Sequence, residues 1–430
     1  MTPGARISAA IEVLEDVDTR KRPAADSLKD WGLAHRFAGS KDRAAIASLV
    51  FDAERKRGSS AFIMGTATPR ALVLGALRQV HDMSADALAA LCSGMAHAPP
   101  PLDEAEAERI SAGTLSGAPS FVAGDFPQWL EPSLAAVFGE RIIAEMSALA
   151  TRAPVDLRVN TLKAAREKVL ASLAHLGAAP TPFSAFGVRL PLAPDGRGPS
   201  LSAEPAYIKG HVEIQDEGSQ LATILALARP GEQVLDLCAG AGGKTLALAA
   251  SMQNKGQIHA SDRDGARLMR SFPRLERAGI RNVQLHPPRG NNDVLAALEG
   301  RCDLVFVDAP CTGTGTWRRN PDAKWRMRPG ALAIRTAEQE HVLEEATRFV
   351  KPHARILYVT CSLLREENED RVAAFLSTHA DYKSLPVRKL LEMAQLPELD
   401  RFASPFGLGL RLTPSTSGTD GFFIAMLLRG

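Results

Sequence analysis

The sequence of 430 residues is poor in cysteine, in aromatic side chains and in long apolar runs. Its five cysteines are odd in number and scattered, which predicts neither a disulfide framework nor a CxxC zinc pattern. No stretch approaches the roughly 18 consecutive apolar residues of a membrane helix, and the N-terminal stretch lacks the apolar core of a signal peptide. We therefore expect a cytoplasmic protein with free thiols, no bound metal and no membrane association.

Net charge is also low, at +2, which disfavours a polybasic nucleic-acid binder of the histone type. The charge is unevenly distributed, because residues 1–150 carry 15 basic and 19 acidic side chains, a net of −4, and the remainder carries +6. A length two to three times that of a domain of roughly 100 to 200 residues predicts several domains.

Residues 1–150 have the apolar spacing of helices, with Ile7, Leu14 and Val17 on one face, and almost no strand-like alternation. Proline and glycine clusters divide this segment, so we predict a compact all-α domain. Residues 151–210 combine an alternating stretch, VDLRVNT, with a helical run, and predict a small α+β subdomain. This subdomain lacks the aromatic string of an RNA-recognition motif.

Residues 211–430 alternate apolar strands with helices, which is the pattern of an α/β, Rossmann-like doubly wound parallel sheet. The predicted strands lie in EQVLDLCA, QIHASD, NVQLH, CDLVFVDAPC and RILYVTCS, and a last apolar strand, GFFIAMLLR, has no helix after it.

A glycine-rich turn, VLDLCAGAGGKT (234–245), follows the first of these strands. A Walker A loop would need glycine where Cys238 stands, and a dinucleotide fingerprint would need a third glycine or alanine where Thr245 stands. The remaining candidate is S-adenosylmethionine, whose ribose hydroxyls require a carboxylate about 20 residues downstream, where Asp262 lies. The alternative is that Asp262 only caps the following helix.

Two cysteines follow the ends of two strands, Cys311 after LVFVDAP and Cys361 after ILYVT. If these strands are paired in parallel, their carboxyl ends lie roughly 5 Å apart and both thiols face one pocket. Such a pair suits methylation at carbon 5 of a pyrimidine, because a thiolate that adds to carbon 6 makes carbon 5 nucleophilic, and a second group assists release.

Buried structural cysteine is the alternative for any single thiol, and it is our interpretation of Cys92 and Cys302. We expect Cys238 to pack beneath the cofactor loop. Asp308 follows the same strand end as Cys311 and is predicted to bind the base or the cofactor, with capping of local amides as the alternative.

The stretch from 312 to 335 holds six basic residues against one acidic, with Trp317 and Trp325 among them. Basic groups beside flat rings are typical of a surface that binds a nucleic-acid backbone and an unstacked base. A solvated basic loop is the alternative, and the position directly after Cys311 favours RNA binding. Lys324 in this stretch is expected to contact the substrate, to orient Cys311 or to bind a phosphate.

Together these motifs resemble the RNA cytosine-C5 methyltransferases of the bacterial RsmB (Sun or Fmu) family, which are related to the eukaryotic NSUN enzymes. The resemblance runs from about residue 125 to the C-terminus, through FPQWL, LRVNTLK, IQDEGSQLA, LDLCAGAGGKT, VDAPCTGTGTWRRNPDAKWR, YVTCSLLREENE and DGFFIAML. It implies a class I methyltransferase fold, with Cys361 as nucleophile and Cys311 in product release. The implied S-adenosylmethionine contacts are Cys238, Ala239, Gly240, Ala241, Gly242, Gly243, Lys244, Asp262 and Asp308.

The sequence departs from the family pattern at two places. Relatives commonly read CAAPGGK where this chain reads CAGAGGK, so Gly240 and Ala241 predict a more flexible loop. A family aspartate after the third strand is missing, with Arg289 near its place, and Asp293 lies too far along to be assigned.

The helical N-terminal segment resembles the NusB-like RNA-binding domain of such proteins. The resemblance as a whole implies a monomeric enzyme that methylates carbon 5 of a cytosine in RNA, with 16S rRNA as the expected substrate and tRNA as the alternative. A rival from another class is a non-catalytic RNA-binding ribosome-assembly factor, which only the two departures favour.

Overall fold

A computed structural model describes residues 1–193, 198–290 and 292–430. By its internal contacts the chain forms two units. The helical unit comprises Met1–Arg152 and Trp317–Pro329, and the sheet unit comprises Ala153–Thr316 and Gly330–Gly430. The segment Trp317–Pro329 therefore lies in the middle of the sheet unit in sequence but packs with the helical unit.

Ten helices form the first part of the helical unit. They are α1 (Pro3–Arg20), α2 (Ala24–Ala34), α3 (Ser40–Arg55), α4 (Arg57–Met64), α5 (Pro69–Val80), α6 (Ala85–Leu91), α7 (Glu104–Ala112), α8 (Ser120–Ala123), α9 (Glu131–Phe138) and α10 (Ile142–Leu149). Short 3-10 turns, Gln128–Leu130 and Gly139–Arg141, flank α9. The described residues of this part contain no strand, in agreement with the helical spacing of its sequence.

Local sequence signals set the starts of these helices. Thr2 caps α1 through its hydroxyl, which accepts a hydrogen bond from the Ala5 amide, and proline occupies the first turn. Asp103 and Glu106 form a reciprocal capping box at α7. The apolar faces of α1, α3 and α5 meet in one buried core that includes Leu14, Ile46 and Leu74.

No single helix among the described residues has the length and hydropathy to cross a membrane. Helices α4 and α5 reach that length and hydropathy only when they are counted together, and the chain bends sharply between them. Residues of both helices, such as Ile63 and Leu72, belong to the buried core of the helical unit.

The described residues after Leu149 contain ten further helices and twelve strands. The helices are α11 (Arg166–Ser172), α12 (Pro205–Ile208), α13 (Glu217–Ile224), α14 (Gly243–Ser251), α15 (Gly265–Met269), α16 (Phe272–Ala278), α17 (Ala323–Arg326), α18 (Gly330–Phe349), α19 (Glu369–Thr378) and α20 (Val387–Met393). The strands are β1 (Val155–Val159), β2 (Ala179–Pro180), β3 (Gly187–Leu190), β4 (Val212–Ile214), β5 (Gln233–Asp236), β6 (Gln257–Ser261), β7 (Val283–His286), β8 (Cys302–Asp308), β9 (Val350–Thr360), β10 (Tyr382–Ser384), β11 (Leu410–Leu412) and β12 (Phe422–Arg429). Further 3-10 turns are Ala174–Leu176, Ala296–Leu298, Thr314–Thr316, Arg365–Glu367 and Pro397–Phe402.

The small sheet of the sheet unit is antiparallel, in the order β2-β3-β1-β4. Its core contains Leu157 of the alternating stretch, Val169 of the helical run and Val188 of β3. The α+β character of this segment therefore follows from its local periodicity.

The large sheet has the order β10-β12-β9-β8-β5-β6-β7, with β11 paired to β12. The pairs from β9 through β7 are parallel, whereas β12 is antiparallel to β9. The sheet is therefore mixed rather than wholly parallel. The predicted last strand lies inside the sheet, between β9 and β10.

Both faces of the large sheet are buried, because alternate residues of each strand enter different cores. Leu304 and Phe306 of β8 belong to one core, and Val305 and Val307 belong to the other. Burial on both faces explains why these strands read as continuous apolar runs in the sequence.

Candidate active site

A pocket of about 1230 Å³ opens at the carboxyl ends of β5, β6, β8 and β9. In an open α/β sheet this edge is where ligands bind, because the strand order reverses there and the loops diverge. The pocket is lined by Leu237, Cys238, Asp262, Asp308, Cys311 and Cys361, together with residues of α18 such as Glu338, His341 and Glu345.

The glycine turn after β5 adopts backbone angles that favour glycine. Gly240 has φ of 55° and Gly242 has φ of 80°, both in the left-handed region. A Cβ on Gly242 would lie 2.6 Å from Cβ of Ser271, so the space there is also closed to side chains. The glycines allow the short turn that joins β5 to α14.

Asp262 braces the same turn from the neighbouring strand end. Its Oδ2 accepts a hydrogen bond of 2.8 Å from the Gly240 amide, and its Oδ1 accepts one of 2.8 Å from the Asp264 amide. The N-cap of α15 is Asp264, whose side chain accepts from the Arg267 amide. The structure therefore does not use Asp262 as the helix cap, and its carboxylate borders the pocket.

Two arginines restrain the turn where relatives carry proline. The Arg274 guanidinium donates a short hydrogen bond to the Ala241 carbonyl and forms an ion pair with Glu213 of β4. The Arg267 guanidinium lies 3.0 Å from where a Cβ of Gly240 would be. The loop flexibility expected from Gly240 and Ala241 is thus countered by side chains on α15 and α16.

Asp236, the last residue of β5, is a site residue that the sequence analysis missed. It is fully buried beneath the turn, and its Oδ2 accepts a 2.6 Å hydrogen bond from the Thr245 hydroxyl of α14. Burial raises the pKa of Asp236 to about 7, with Asp308 and Asp262 contributing in the same direction. The sequence feature that could have identified Asp236 is an aspartate within the apolar stretch VLDL.

Lys244 forms an ion pair with Asp308, a residue of the pocket lining, with 2.7 Å between Nζ and Oδ2. Burial alone lowers the pKa of Lys244, but the Asp308 carboxylate beside it raises that pKa overall. The charge of Cys361 acts on Lys244 in the same direction. The pair joins the glycine turn to the end of β8.

The structure brings the two cysteines together, with 3.4 Å between their Sγ atoms. Asp308 pairs with Val359 in the register of β8 and β9, so both chains leave the sheet at the same level. The pKa of Cys311 is raised, first by its hydrogen bond with Cys361 and then by burial. Both thiols line the pocket.

The other cysteines lie where the sequence analysis expected. Cys92 and Cys302 are buried in the cores of the helical and sheet units. Cys238 follows β5, packs against the core of the sheet unit and has its pKa raised by burial. Among the described residues, no cluster of three or more His, Cys, Asp or Glu side chains could hold a metal ion.

Lys324 is not among the residues that the structure brings to the pocket, and the expectation for it has to be corrected. It lies on α17 in the helical unit, with a side chain only 2% exposed. Its ammonium donates hydrogen bonds to the backbone carbonyls of Arg55, at 3.0 Å, and Asp125, at 2.5 Å. A group enclosed in this way is unavailable for substrate or phosphate contact.

The tryptophans of the same segment are also poorly suited to bind an RNA base. Trp317 is buried, and the Trp325 indole donates a 2.7 Å hydrogen bond to the Glu54 carbonyl. Of the mixture that predicted an RNA surface, Trp317, Arg318 and Lys324 are buried, whereas Arg326 and Arg328 are exposed.

The position of the missing family aspartate remains without a free carboxylate. Asp293 reaches the lining of the pocket, but its Oδ2 is 2.6 Å from a guanidinium nitrogen of Arg348 and its Oδ1 accepts from the Leu295 amide. The hydrogen bond from Arg348 lowers the pKa of Asp293. Asp293 is therefore engaged within the protein.

The pocket suits the chemical groups of S-adenosylmethionine. The Asp262 carboxylate can accept hydrogen bonds from ribose hydroxyls, and the apolar side chains of Leu237, Val294 and Leu295 can pack against adenine. The cavity volume of about 1230 Å³ leaves room for a second, flat group between the cofactor site and the thiols.

Comparisons with known proteins agree with this arrangement. The model of a family described as 16S rRNA methyltransferase RsmB/F matches residues 222–428, and the model of a ferredoxin-like domain of RsmF/B-like methyltransferases matches residues 126–195. The chain is 35% identical over 309 residues to ribosomal RNA small subunit methyltransferase B of Xanthomonas campestris, covering 71% of this chain and 66% of that protein. It is 31% identical over 305 residues to the probable enzyme of this name from Synechocystis, covering 70% and 66%.

Solved structures share the architecture. The crystal structure of PH0851 aligns with 99% of both chains at 26% identity and a TM-score of 0.74. A methyltransferase homolog from Pyrococcus horikoshii aligns with 72% of this chain and 98% of its own, at 28% identity and a TM-score of 0.59. These findings confirm the predicted family, the Rossmann-like fold and S-adenosylmethionine as the cofactor. The chain belongs to the RsmB/F family of S-adenosylmethionine-dependent methyltransferases.

Proposed function

We propose that this chain methylates carbon 5 of a cytosine in 16S rRNA through a covalent adduct between Cys361 and carbon 6 of the base. The observation that carries the proposal is the pair of thiols, with 3.4 Å between the sulfurs of Cys311 and Cys361, in the same pocket as Cys238 and Asp262. Methylation of an oxygen or an exocyclic nitrogen would not need a thiol pair.

The chemistry requires a nucleophile because carbon 5 of cytosine is not nucleophilic enough by itself. The Cys361 thiolate forms a bond to carbon 6, and the displaced electron pair makes carbon 5 able to take a methyl group. S-adenosylmethionine supplies that methyl from its sulfonium. Loss of the carbon 5 proton then restores the double bond and expels the Cys361 thiolate, so that protein and base separate.

The two thiols are suited to different tasks. The hydrogen bond with Cys361 and burial raise the pKa of Cys311, which favours the protonated form of this thiol. Cys361 lines the same pocket, and a negative charge on its sulfur favours the ammonium form of Lys244. We assign Cys361 as nucleophile and Cys311 as the group that assists its release.

Asp308 and the glycine turn are assigned to binding. Lys244 holds the Asp308 carboxylate at the end of β8, where it can accept a hydrogen bond from the amino group of the base or from the cofactor. We assign Cys238 to Lys244 and Asp262 to cofactor binding, and of these residues Cys238 and Asp262 line the pocket. The cytosine must be unpaired or flipped out of a helix to enter.

The substrate class is proposed from the curated relatives, whose names specify the ribosomal RNA of the small subunit. The alignments reach 66% of the length of each of these two relatives. That the helical unit is NusB-like and contacts RNA, and that the protein is a monomer, stay predictions.

A covalent trap tests the chemistry. Small-subunit rRNA containing 5-fluorocytosine should form a denaturation-resistant adduct with the wild-type protein only when S-adenosylmethionine is present, because fluorine blocks loss of the carbon 5 substituent. Cys361→Ala should abolish the adduct. Cys311→Ala should let an adduct with unsubstituted RNA accumulate, because release is impaired.

Cys302→Ala is the matched control. Cys302 begins β8, the strand that leads to Cys311, but its thiol is buried in the core. It should form the trap like wild type. Absence of any adduct with rRNA or tRNA would favour the non-catalytic assembly factor. Bisulfite sequencing of RNA from cells with and without the protein distinguishes the rRNA and tRNA alternatives.

A further inference from the structure

A fully buried glutamate, Glu367, lies behind the two loops that carry the cysteines. It ends the 3-10 turn Arg365–Glu367, six residues after Cys361. Its Oε1 accepts a 2.8 Å hydrogen bond from the Thr312 amide, and its Oε2 accepts bonds from the hydroxyls of Thr312 and Ser362. Thr312 and Ser362 each directly follow one of the two cysteines.

Gln339 of α18 completes the arrangement from a third element. Its Nε2 donates to Glu367 Oε1 at 3.1 Å and to the Pro310 carbonyl at 2.9 Å. Both neighbours of Cys311 in the sequence are therefore tied to the same buried cluster. We name Thr312, Gln339, Ser362 and Glu367 the thiol clamp.

The chemistry of the clamp is unusual for a buried carboxylate. Burial raises the pKa of Glu367, and hydrogen bonds from Ser362, Thr312 and Gln339 act in the opposite direction. An ionised carboxylate only accepts hydrogen bonds, so four donors from three elements saturate it and fix their mutual positions.

A neighbouring glutamate shows what a purely stabilising arrangement looks like in this fold. Glu369 is also buried, but it pairs with the Arg411 guanidinium and accepts from the Ser404 hydroxyl. Ser404 lies outside the cysteine loops, and Arg411 donates a hydrogen bond to the Leu363 carbonyl, two residues after Cys361. Glu367, by contrast, receives neutral donors that lie next to the two thiols.

We propose that Glu367 is a positioning residue that sets the separation of Cys311 and Cys361 by anchoring the residue after each of them. The inference rests on the proposed function for its catalytic consequence. Its geometric content is independent of that function, because the distance between two thiols can be measured without RNA.

Two substitutions separate the hydrogen bonds of Glu367 from its charge. Glu367→Gln can preserve the clamp, since its carbonyl can accept from Thr312 and Gln339 while its amide donates to the hydroxyls of Thr312 and Ser362. Glu367→Ala removes every anchor. Glu369→Ala is the matched control, because it truncates a buried glutamate two residues away that does not contact the clamp.

The rate at which diamide oxidises Cys311 and Cys361 to a disulfide, followed by mass spectrometry of the unreduced peptides, reports their proximity. We expect Glu367→Gln to react at least as fast as wild type and Glu367→Ala to react at least about tenfold more slowly, because alignment of the reacting atoms sets such rates. Glu369→Ala should retain the wild-type rate even if its unfolding temperature falls. The trap with 5-fluorocytosine RNA should show the same order of variants.

If Glu367→Ala does not fold, Thr312→Val provides the test. Thr316→Val is its control because, within the part of the chain that the structure describes, the Thr316 hydroxyl donates only to the Gly313 carbonyl of its own loop. A severalfold slower disulfide rate in Thr312→Val than in Thr316→Val is expected. Equal rates in these two variants, or equal losses in Glu367→Ala and Glu369→Ala, would overturn the inference. A wild-type protein that forms the disulfide rapidly but no RNA adduct would contradict the proposed function and leave the positioning role intact.

Discussion

The Sγ atoms of Cys311 and Cys361 lie 3.4 Å apart, although 50 residues separate them in the sequence. This distance is well beyond a disulfide bond of about 2.05 Å and suits a thiol that donates a hydrogen bond to a neighbouring sulfur. This hydrogen bond divides the two thiols chemically, because it raises the pKa of Cys311.

Alkylation tests this division directly. Because Cys361 is the main cause of the raised pKa of Cys311, Cys361→Ala should lower the pKa of Cys311 and move its reaction with iodoacetamide to lower pH. The modified cysteine is identified by peptide mass spectrometry across a pH series. An unchanged profile for Cys311 would contradict an effect of Cys361 on its pKa, and Cys302→Ala serves as the control that leaves the pair intact.

The pairing of Lys244 with Asp308 should matter for both stability and turnover. Asp308→Asn removes the carboxylate that raises the pKa of Lys244, and it leaves a largely buried ammonium without its ion partner. We expect a loss of unfolding free energy of roughly 1 to 3 kcal/mol, measured by urea denaturation at pH 7, and a fall in methyl transfer of at least about tenfold. Full activity in Asp308→Asn would exclude a role for this carboxylate in the pocket.

Two adjacent glycines of the cofactor turn should respond differently to the same substitution. Gly242→Ala adds a Cβ at φ of 80° and only 2.6 Å from Ser271, whereas a Cβ on Gly243 meets nothing closer than 3.6 Å. Calorimetric titration should show S-adenosylmethionine binding at least about tenfold weaker in Gly242→Ala. The added Cβ should raise the free energy of the binding conformation of the turn by about 1.4 kcal/mol. Gly243→Ala, the matched control, should bind nearly as wild type.

The buried position of Lys324 predicts a specific dependence of stability on pH. Burial lowers the pKa of Lys324 from 10.5 to about 8, so between these values the folded protein has released a proton that the unfolded chain retains. Stability from this group therefore rises with pH across that window, and the cost of burying the ammonium is fully present below pH 8. The unfolding free energy of wild type relative to Lys324→Met should grow by about 2 kcal/mol from pH 7 to pH 10.

Tryptophan fluorescence can follow this unfolding, because all four tryptophans belong to the helical unit (Trp31, Trp129, Trp317 and Trp325). Arg326→Ala is the control, since it lies on the same segment with a side chain 36% exposed. A Lys324→Met protein with unchanged unfolding but no methyl transfer would restore the role in catalysis that the sequence suggested.

Much of the catalytic edge was predictable from the sequence because its signals are local. Apolar runs between glycine turns identify strands buried on both faces, as Val305 and Phe306 of β8 illustrate. The carboxyl ends of parallel strands meet at one edge, so Asp262, Cys311 and Cys361 could be placed together from their positions after three strands. The mixed order of the sheet could not, since the strand direction of β12 depends on a long return of the chain.

Only the tertiary structure decided which residues stay exposed and which residues remote in the sequence contact each other. A basic, tryptophan-containing stretch predicts a nucleic-acid surface only if it stays exposed, and the burial of Trp317 and Lys324 depends on helices that are remote in the sequence. The role proposed for Glu367 likewise depends on hydrogen-bond donors from three separate elements. The sequence by itself determined the family chemistry and its edge of the sheet, because strand periods and motifs are local. Exposure and hydrogen-bond partnership required the folded chain, because they are set by whatever surface packs against a residue.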